Sequence, residues 1–529
     1  MAAGTLASRV LGMVRGVLVT GVLGTGLSGV AFGVANTLPN SFYLLIAGGV
    51  LNAVLVPQIA KAASHDDGGE NFVNRLLTLA LTVMASATVL ATLAAPLLVR
   101  LYASAKFPSN GITLCVIFAF ICLPQIFFYG LYTVLGQVLN ARGQFAAYMW
   151  APAVANVVAI AGLVVFVARG LHGRAAPDQW TPEMFVLIAG VATLGIVAQA
   201  LVLLWPLRRI GFRYRPVWGF RGVGLGSASR VAGWTFAAIA VSQLGYIVTS
   251  RAVTYADGQA HAQGVQGAGQ VAYANAFLLF MLPHSLVTVS LVTALFTRLS
   301  YAAHQGRSRD VVHDFGQGLR LPAVVLIPVT FAGALLAPWA TNAIFLGNTI
   351  SETDAMAHVM TAMVIGIVPY GWLYLIQRVF YAYEDARTPF WLQVVVTVLA
   401  TAANLASFTL PPQWVGVGVG VGQTVSNLVA ALLGFVLLRR RLGALHLGPA
   451  VQQNLRLVVA SVAGTVVGGA LLLLLRQVLG TGRISVIITL FAVAAVFAVV
   501  TLVVAARLRV REVHEVLGPL LGRVGSRAA

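Results

Sequence analysis

Two arginines in the first apolar segment are the residues of this sequence best suited to binding chemistry. Arg9 and Arg15 lie within the segment 5–25, and their spacing separates them by about 9 Å along a helix. A guanidinium held in hydrocarbon costs several kcal/mol, so Arg15 should face a wet cavity or a partner. No acidic residue lies nearby in the sequence, which favours an anionic ligand. The alternative is that both side chains snorkel to the headgroups.

Two prolines interrupt apolar segments at equivalent places, and a polar residue follows each. These pairs are Pro39-Asn40 and Pro283-His284. A proline removes one backbone hydrogen bond and bends a helix. We therefore expect hinges at Pro39 and Pro283, with Asn40 and His284 placed to meet a ligand. Kinks that serve packing alone are the alternative.

Four further positions are candidates for gating or ion coupling. Arg251 lies near the far end of the seventh apolar segment, where it is either an outer gate and ligand contact or an interfacial anchor. Asp385, with Thr397 and Thr401 deeper in the eleventh segment, is the one acid-plus-hydroxyl grouping suited to an ion. The alternative is a helix-entry acid followed by hydroxyls that bond back to the helix.

The acidic residues argue against an enzyme. None of the fourteen falls at the middle of an apolar segment, so the deep carboxylate relays of many proton-coupled pumps are not expected. Paired catalytic carboxylates, nucleophile–base pairs, metal-ligand spacings and a phosphate-binding loop are also missing from the sequence. We expect no enzymatic activity and no cofactor.

The composition indicates an all-α polytopic membrane protein. Of 529 residues, 59% are hydrophobic and 9% are charged, against roughly 25% charged residues in ordinary soluble domains. Apolar stretches of about 20 residues or more predict fourteen transmembrane helices. Their approximate positions are 5–25, 28–60, 71–102, 112–140, 145–168, 183–207, 228–255, 269–300, 308–344, 355–383, 388–410, 414–438, 450–477 and 484–507.

The net charge of +19 is explained by membrane topology rather than by nucleic-acid binding. Most arginines fall in the even-numbered connections and in the tail, including the clusters 208–215 and 439–441. Positively charged connections stay in the cytoplasm. Both termini are therefore predicted to be cytoplasmic, and no nucleic-acid partner is expected.

An internal repeat divides the chain into two halves. The segment 8–12 recurs at 229–233, Leu38-Pro39-Asn40-Ser41 recurs at 282–285, and Asn140-Ala141-Arg142 recurs as Asp385-Ala386-Arg387. The paired helices are six apart, so the repeats have parallel topology, as in transporters with two lobes. We predict an N-lobe at 1–222 (helices 1–6), a C-lobe at 223–444 (helices 7–12), a helix pair at 445–508 and a cytoplasmic tail at 509–529.

Several motifs resemble the MurJ/MviN family of lipid II flippases, within the multidrug/oligosaccharidyl-lipid/polysaccharide exporter superfamily. The resemblance covers about residues 4 to 520. It is carried by the segments 7–15, 38–40, 139–141 with 151–152, 385–389 and 437–443. It implies fourteen helices, two lobes and export of an undecaprenyl-diphosphate-linked muropeptide across the bacterial plasma membrane. The family's two essential first-helix arginines correspond to Arg9 and Arg15.

The sequence also departs from the family pattern. Val30 replaces a frequent acidic residue, Tyr43-Leu44 replaces an Arg-Arg pair, Gly48-Gly49 replaces Glu-Gly, and Asn275-Ala276 replaces Asp-Arg. The cavity is therefore expected to carry less charge than in the best-known members, as in the actinobacterial branch.

The resemblance implies alternating access between the lobes. Arg9, Arg15, Asn40 and His284 would contact the ligand, with Arg251 a further candidate cation. Expected partners are lipid II, membrane lipids and cell-wall synthesis proteins. A potential of about 100 mV supplies roughly 2.3 kcal/mol per charge moved, so membrane potential or an ion gradient would drive transport. The alternatives are an exporter of another polyprenyl-linked oligosaccharide or of drugs, and a non-transporting cell-wall scaffold.

Overall fold

The computed structural model describes residues 2–46, 70–212, 214–219, 230–480, 482–510 and 512, and the regular structure within these ranges is helical. Helices satisfy every backbone polar group internally, which the membrane interior requires. In chain order they are α1 Ala2–Leu23, α2 Leu27–Ile46, α3 Glu70–Leu93, α4 Ala95–Tyr102, α5 Ser109–Cys122, α6 Gln125–Ala141, α7 Phe145–Ala168, α8 Pro182–Arg209 and α9 Arg230–Gln263. They continue as α10 Gln270–His304, α11 Ser308–Ile344, α12 Ile350–Val364, α13 Ile367–Ala382, α14 Arg387–Ser407, α15 Pro412–Leu442, α16 Gly448–Leu479 and α17 Arg483–Arg507.

The helices confirm the all-α membrane class. Within the described residues, twelve helices are long and apolar enough to cross a membrane when α5 and α6 are counted as the single span Ser109–Ala141. Helices α12 and α13, bent by 47°, form a thirteenth candidate. The second predicted helix, 28–60, corresponds to α2, but its continuation lies outside the described residues. The observed number is therefore close to the fourteen predicted.

The chain divides into two compact units. The first contains Met1–Ala274 and Asn404–Gly416, and the second contains Asn275–Ala403 and Val417–Ala529. The lobe boundaries predicted from the repeat remain a prediction.

Small residues bring α1 and α7 together in the first unit. Asn156 Nδ2 donates to the carbonyl oxygen of Ser8 at 3.0 Å. A Cβ at Gly12 would lie 3.6 Å from the Asn156 amide, and one at Gly4 would lie 3.1 Å from the carbonyl oxygen of Met149. Small residues allow this close approach of helices in a membrane. The contact fixes the rotation of α1 and thereby the direction of its arginines.

The end of α1 is closed by a helix-capping arrangement. Gly24 adopts a positive φ of 70°, the conformation that commonly ends a helix. Arg174 Nη2 donates to the carbonyl oxygen of Gly21 at 3.4 Å, which places a cation at the negative end of the helix dipole. Trp180 Nε1 donates to Ser28 Oγ at 3.0 Å. The corner between α1 and α2 is thus held by the loop after α7.

The second unit packs α11 against α16 and α17. Ala323 and Ile327 of α11 share a buried cluster with Leu457 of α16 and Ala505 of α17. A Cβ at Gly464 would overlap the hydroxyl of Thr501, so α16 and α17 are in close contact. The C-terminal helix pair is therefore an integral part of this unit.

Candidate functional site

Arg9 and Arg15 lie on α1 with half-buried side chains. Among the described residues, neither guanidinium has an ion pair or a hydrogen bond, while Asn156 and Arg174 of the same unit both have polar partners. The Arg15 guanidinium interacts electrostatically with the hydroxyl of Tyr129 on α6. Two cations at these positions can pair with an anion that enters the unit beside α1 and α6.

A cluster of four tyrosines accompanies Arg15. Tyr43 packs on Tyr129 with ring centroids 5.4 Å apart, and its hydroxyl shares a hydrogen bond with Thr133 Oγ1. Tyr132 stacks on Tyr148 at 4.8 Å. Rings with polar hydroxyls present both an apolar face and a hydrogen-bonding edge. The departure from the family pattern at Tyr43 was the one sequence signal for this cluster, and the other three tyrosines were missed.

The two prolines have different local structures. Helix α2 continues through the buried Pro39 to Ile46, and Asn40 is exposed. Helix α10, by contrast, is π-helical from His284 to Val289, directly after Pro283. Such π-helical turns occur frequently at functional sites. The hinge role of Pro39 and Pro283 remains a prediction.

His284 begins a chain of aromatic and cationic side chains in the second unit. Its buried ring lies 4.5 Å from that of Tyr370 and 5.7 Å from that of Tyr374, between centroids. Arg378 Nη2 donates to the Tyr374 hydroxyl at 3.0 Å, and its guanidinium lies over the same ring at 4.9 Å. The structure therefore links His284 to a cation on α13 that was not among the predicted site residues.

Arg251 caps a neighbouring helix in the first unit. Its Nη1 lies 3.4 Å from the carbonyl oxygens of both Arg100 and Leu101, at the last turn of α4. A cation is favourable there because the last carbonyls of a helix lack partners. Nearby, the Ser104 amide donates to Thr254 Oγ1 at 2.9 Å. Arg251 thus helps to hold α4 against α9.

Replacing Arg251 with alanine should lower the thermal stability while most transport is retained. The lost interaction is a cation at a helix end, worth about 0.3–1 kcal/mol. Thermal unfolding of the purified protein and growth of cells that depend on it would be measured together. A variant that is as stable as the wild type but inactive would instead indicate a direct ligand contact.

Asp385 lies at the entry to α14 and is bound locally. Its carboxylate accepts from the backbone N–H of Thr388 at 3.0 Å, from the Thr388 hydroxyl at 2.8 Å and from Arg441 Nη1 at 3.0 Å. Thr397 accepts from Gln393 Nε2 at 3.4 Å. Thr397 lies roughly 15 Å along the helix axis from the start of α14 at Arg387, and Thr401 lies one turn further. The structure does not bring the three predicted ion-coupling residues together, and the described residues hold no group of side chains suited to a metal.

The apolar helices and the cations inside them define a multi-pass membrane transporter, and comparisons with known proteins agree. A family model described as lipid II flippase MurJ matches residues 19–502, and the chain belongs to this family. A probable lipid II flippase MurJ of Rhizobium tropici is 26% identical over 450 residues, which cover 83% of this chain and 79% of the relative.

Solved structures show the same fold. A lipid II flippase MurJ in an inward closed conformation has a TM-score of 0.73 at 16% identity, covering 96% of this chain and 99% of that one. An inward-facing MATE family multidrug resistance transporter has a TM-score of 0.63 at 17% identity, covering 83% and 95%. The chain therefore shares its fold with both structures, as the sequence resemblance implied.

Proposed function

We propose that this chain is a lipid II flippase. It moves undecaprenyl-diphosphate-linked muropeptide from the cytoplasmic to the outer leaflet by alternating access. Membership of the MurJ family supports this function, as does the family name carried by the Rhizobium tropici relative. The substrate combines a diphosphate, a sugar–peptide head and a polyprenyl tail, and each part needs a different environment.

The observation that carries the proposal is the pair of arginines on α1. Arg9 and Arg15 have no acidic partner among the described residues, and Arg15 lies within a segment that crosses the membrane. An unpaired guanidinium in such a segment is costly. A diphosphate offers several acceptor oxygens to planar guanidinium groups and would satisfy both.

The neighbouring polar and aromatic groups suit the head of the substrate. Asn40 is exposed next to the end of α2, and the tyrosine cluster around Tyr43 supplies ring faces and hydroxyls near Arg15. In the second unit, His284 and its aromatic neighbours are the corresponding candidates. The carbonyl contacts of Arg251 support a positioning role rather than a contact with substrate.

We place the protein in the plasma membrane of a bacterium with both termini in the cytoplasm. The support is the distribution of arginines along the sequence, because basic connections are retained on the cytoplasmic side. Lipid II and membrane lipids are its proposed partners, and proteins of cell-wall synthesis are further candidates.

Complementation tests the function directly. The wild-type chain, produced in a bacterium depleted of its own flippase, should restore growth and the appearance of lipid II in the outer leaflet. A variant of this chain with both Arg9 and Arg15 replaced serves as the negative control. Failure of the wild-type chain, when it is present in the membrane in normal amounts, would rule out the proposed function.

Membrane potential is the proposed driving force. A cavity with two positive charges that returns empty across about 100 mV gains roughly 4–5 kcal/mol per cycle, at about 2.3 kcal/mol per charge. Collapse of the potential with a potassium ionophore should therefore reduce transport in vesicles at least tenfold, whereas removal of sodium should change it little. A transport rate that depends on sodium but not on the membrane potential would contradict this mechanism. It would favour the alternative in which Asp385 takes part in ion coupling.

A further inference from the structure

A polar cavity of about 350 Å³ lies in the second unit between α11, the first turns of α16 and the residues that follow α17. It is outside the site proposed for lipid II, and its interpretation does not depend on the proposed function. Its lining residues are Arg320, Pro449, Gln452, Gln453, Arg456, Arg509, Val510 and Glu512. Three arginines and one glutamate give the lining a formal charge of +2.

The glutamate neutralises one of the three arginines. Arg320 Nη1 lies 3.4 Å from Oε1 of the buried Glu512. The second arginine, Arg456, donates through Nη1 to the backbone carbonyl oxygen of Arg509 at 3.3 Å, which orders its side chain without cancelling its charge. Within the described part of the chain, neither Arg456 nor Arg509 has an ion pair. Two positive charges therefore remain for an anion.

The backbone of Arg509 makes its position unusual. Arg509 has a φ of 56° and directly follows the C-cap of α17. Its amide donates to the carbonyl oxygen of Ala506, and the Val510 amide donates to that of Ala505. These two bonds form a Schellman motif, in which the left-handed residue is usually glycine. An arginine there strains the backbone, and strain of this kind clusters at functional sites.

The cavity adjoins an exposed apolar surface of α16. Helix α16 begins at Gly448 beside the cavity, and the positive end of its dipole favours an anion there. Along the same helix, Val451, Leu455, Val459 and Val466 are exposed. The intervals between them are four, four and seven residues, which places all four side chains on one side of the helix. A phosphate in the cavity thus lies next to an apolar stripe suited to acyl chains.

We propose that this cavity binds the phosphodiester headgroup of an anionic phospholipid, with its acyl chains along the exposed stripe of α16. Arg456 and Arg509 hold the phosphate, and Arg320 remains paired with Glu512. Because the cavity is lined by α11, by α16 and by the residues that follow α17, the bound lipid joins α11 to the C-terminal helix pair. Basic pockets between transmembrane helices on the cytoplasmic side are suited to such headgroups.

Lipid binding to the purified full-length protein in a neutral detergent tests the proposal. Dioleoyl phosphatidylglycerol, dioleoyl phosphatidylcholine and inorganic phosphate would be compared by native mass spectrometry and by the shift in unfolding temperature. We expect phosphatidylglycerol to bind and raise the unfolding temperature, and the other two probes to have at least tenfold weaker effects. Equal binding of phosphatidylcholine, or of phosphate alone at the same concentration, would overturn the proposal.

Matched variants distinguish lipid binding in this cavity from a non-specific effect of the protein's net charge. Arg456→Gln with Arg509→Gln should weaken phosphatidylglycerol binding at least tenfold. Arg440→Gln with Arg507→Gln removes the same two charges from exposed residues that do not line the cavity, and this control should bind as the wild type does. Equal losses in the two double variants would show that only net charge matters and would overturn the proposal.

Replacing Arg509 with glycine addresses the risk that a variant simply unfolds. Glycine adopts the left-handed conformation without strain, so Arg509→Gly should unfold in lipid-free detergent at the wild-type temperature or above. It should nevertheless lose most of the stabilisation by phosphatidylglycerol. A variant that keeps the full lipid-induced shift would contradict the role of Arg509.

Discussion

Replacing Arg15 with alanine should reduce lipid II transport at least tenfold without lowering the stability of the protein. A hydrogen bond to a charged group contributes about 1.5–3 kcal/mol, which corresponds to a factor of roughly 10 to 100 in rate. The protein itself loses little, because Arg15 has neither an ion pair nor a hydrogen bond among the described residues. Transport into the outer leaflet and thermal unfolding would be measured on the same preparation.

Two controls distinguish a ligand contact from a structural role at Arg15. Arg15→Lys keeps the charge but loses the planar donor pair, so it should transport at an intermediate rate. Arg169→Ala removes an exposed arginine that lies 3.3 Å from Glu183, and it should transport as the wild type does. Full transport by Arg15→Ala, at normal abundance in the membrane, would remove the observation on which the proposed function rests.

Replacing Gly258 with alanine should destabilise the first unit, and by more than the replacement of Gly233 on the same helix, α9. A Cβ at Gly258 would overlap the backbone carbonyl of Lys106, and the next atoms it meets are also backbone. Backbone cannot rotate away as a side chain can, so α9 must shift. Overpacking of this kind costs about 1–3 kcal/mol, and the unfolding temperature and the amount of protein in the membrane would both fall.

Gly233 provides the matched control on the same helix. A Cβ there meets no atom within 4 Å, and alanine is about 1 kcal/mol better than glycine inside a helix. Gly233→Ala should therefore be neutral or stabilising. If both variants behave alike, the close approach of α9 to the 103–108 segment would be wrong.

Much of the membrane architecture could be predicted because hydropathy alone marks a membrane-crossing helix. Each of the fourteen predicted stretches corresponds to one helix or to two consecutive helices in the described residues, with α2 described only in part. The exact number is not confirmed, because α2 is not among the helices that pass as membrane-crossing and α12 bends against α13. Hydropathy does not reveal such bends, since the helices on both sides of the bend are apolar.

Less of the candidate site than of the fold could be predicted from the sequence. Arg9 and Arg15 were predicted from their types and spacing, since a cation in an apolar segment demands a partner. The partners of Arg251 and Asp385 could not be predicted, because Arg251 contacts residues 150 and 151 positions away and Asp385 contacts one 56 positions away. Such contacts depend on how each helix is rotated about its axis, which apolar patterning leaves nearly free in a membrane.

By itself, the sequence determined the helical membrane class, the approximate helix positions and the two cations on α1, because these follow from local polarity and spacing. Only the tertiary structure decided that Arg251 caps α4, that Tyr43 and Tyr129 meet near Arg15, and that Arg456 and Arg509 share a cavity. The physical reason is that lipid-facing and protein-facing surfaces of a membrane helix are both apolar. Small residues and backbone hydrogen bonds between distant segments, rather than hydropathy, therefore choose which faces meet.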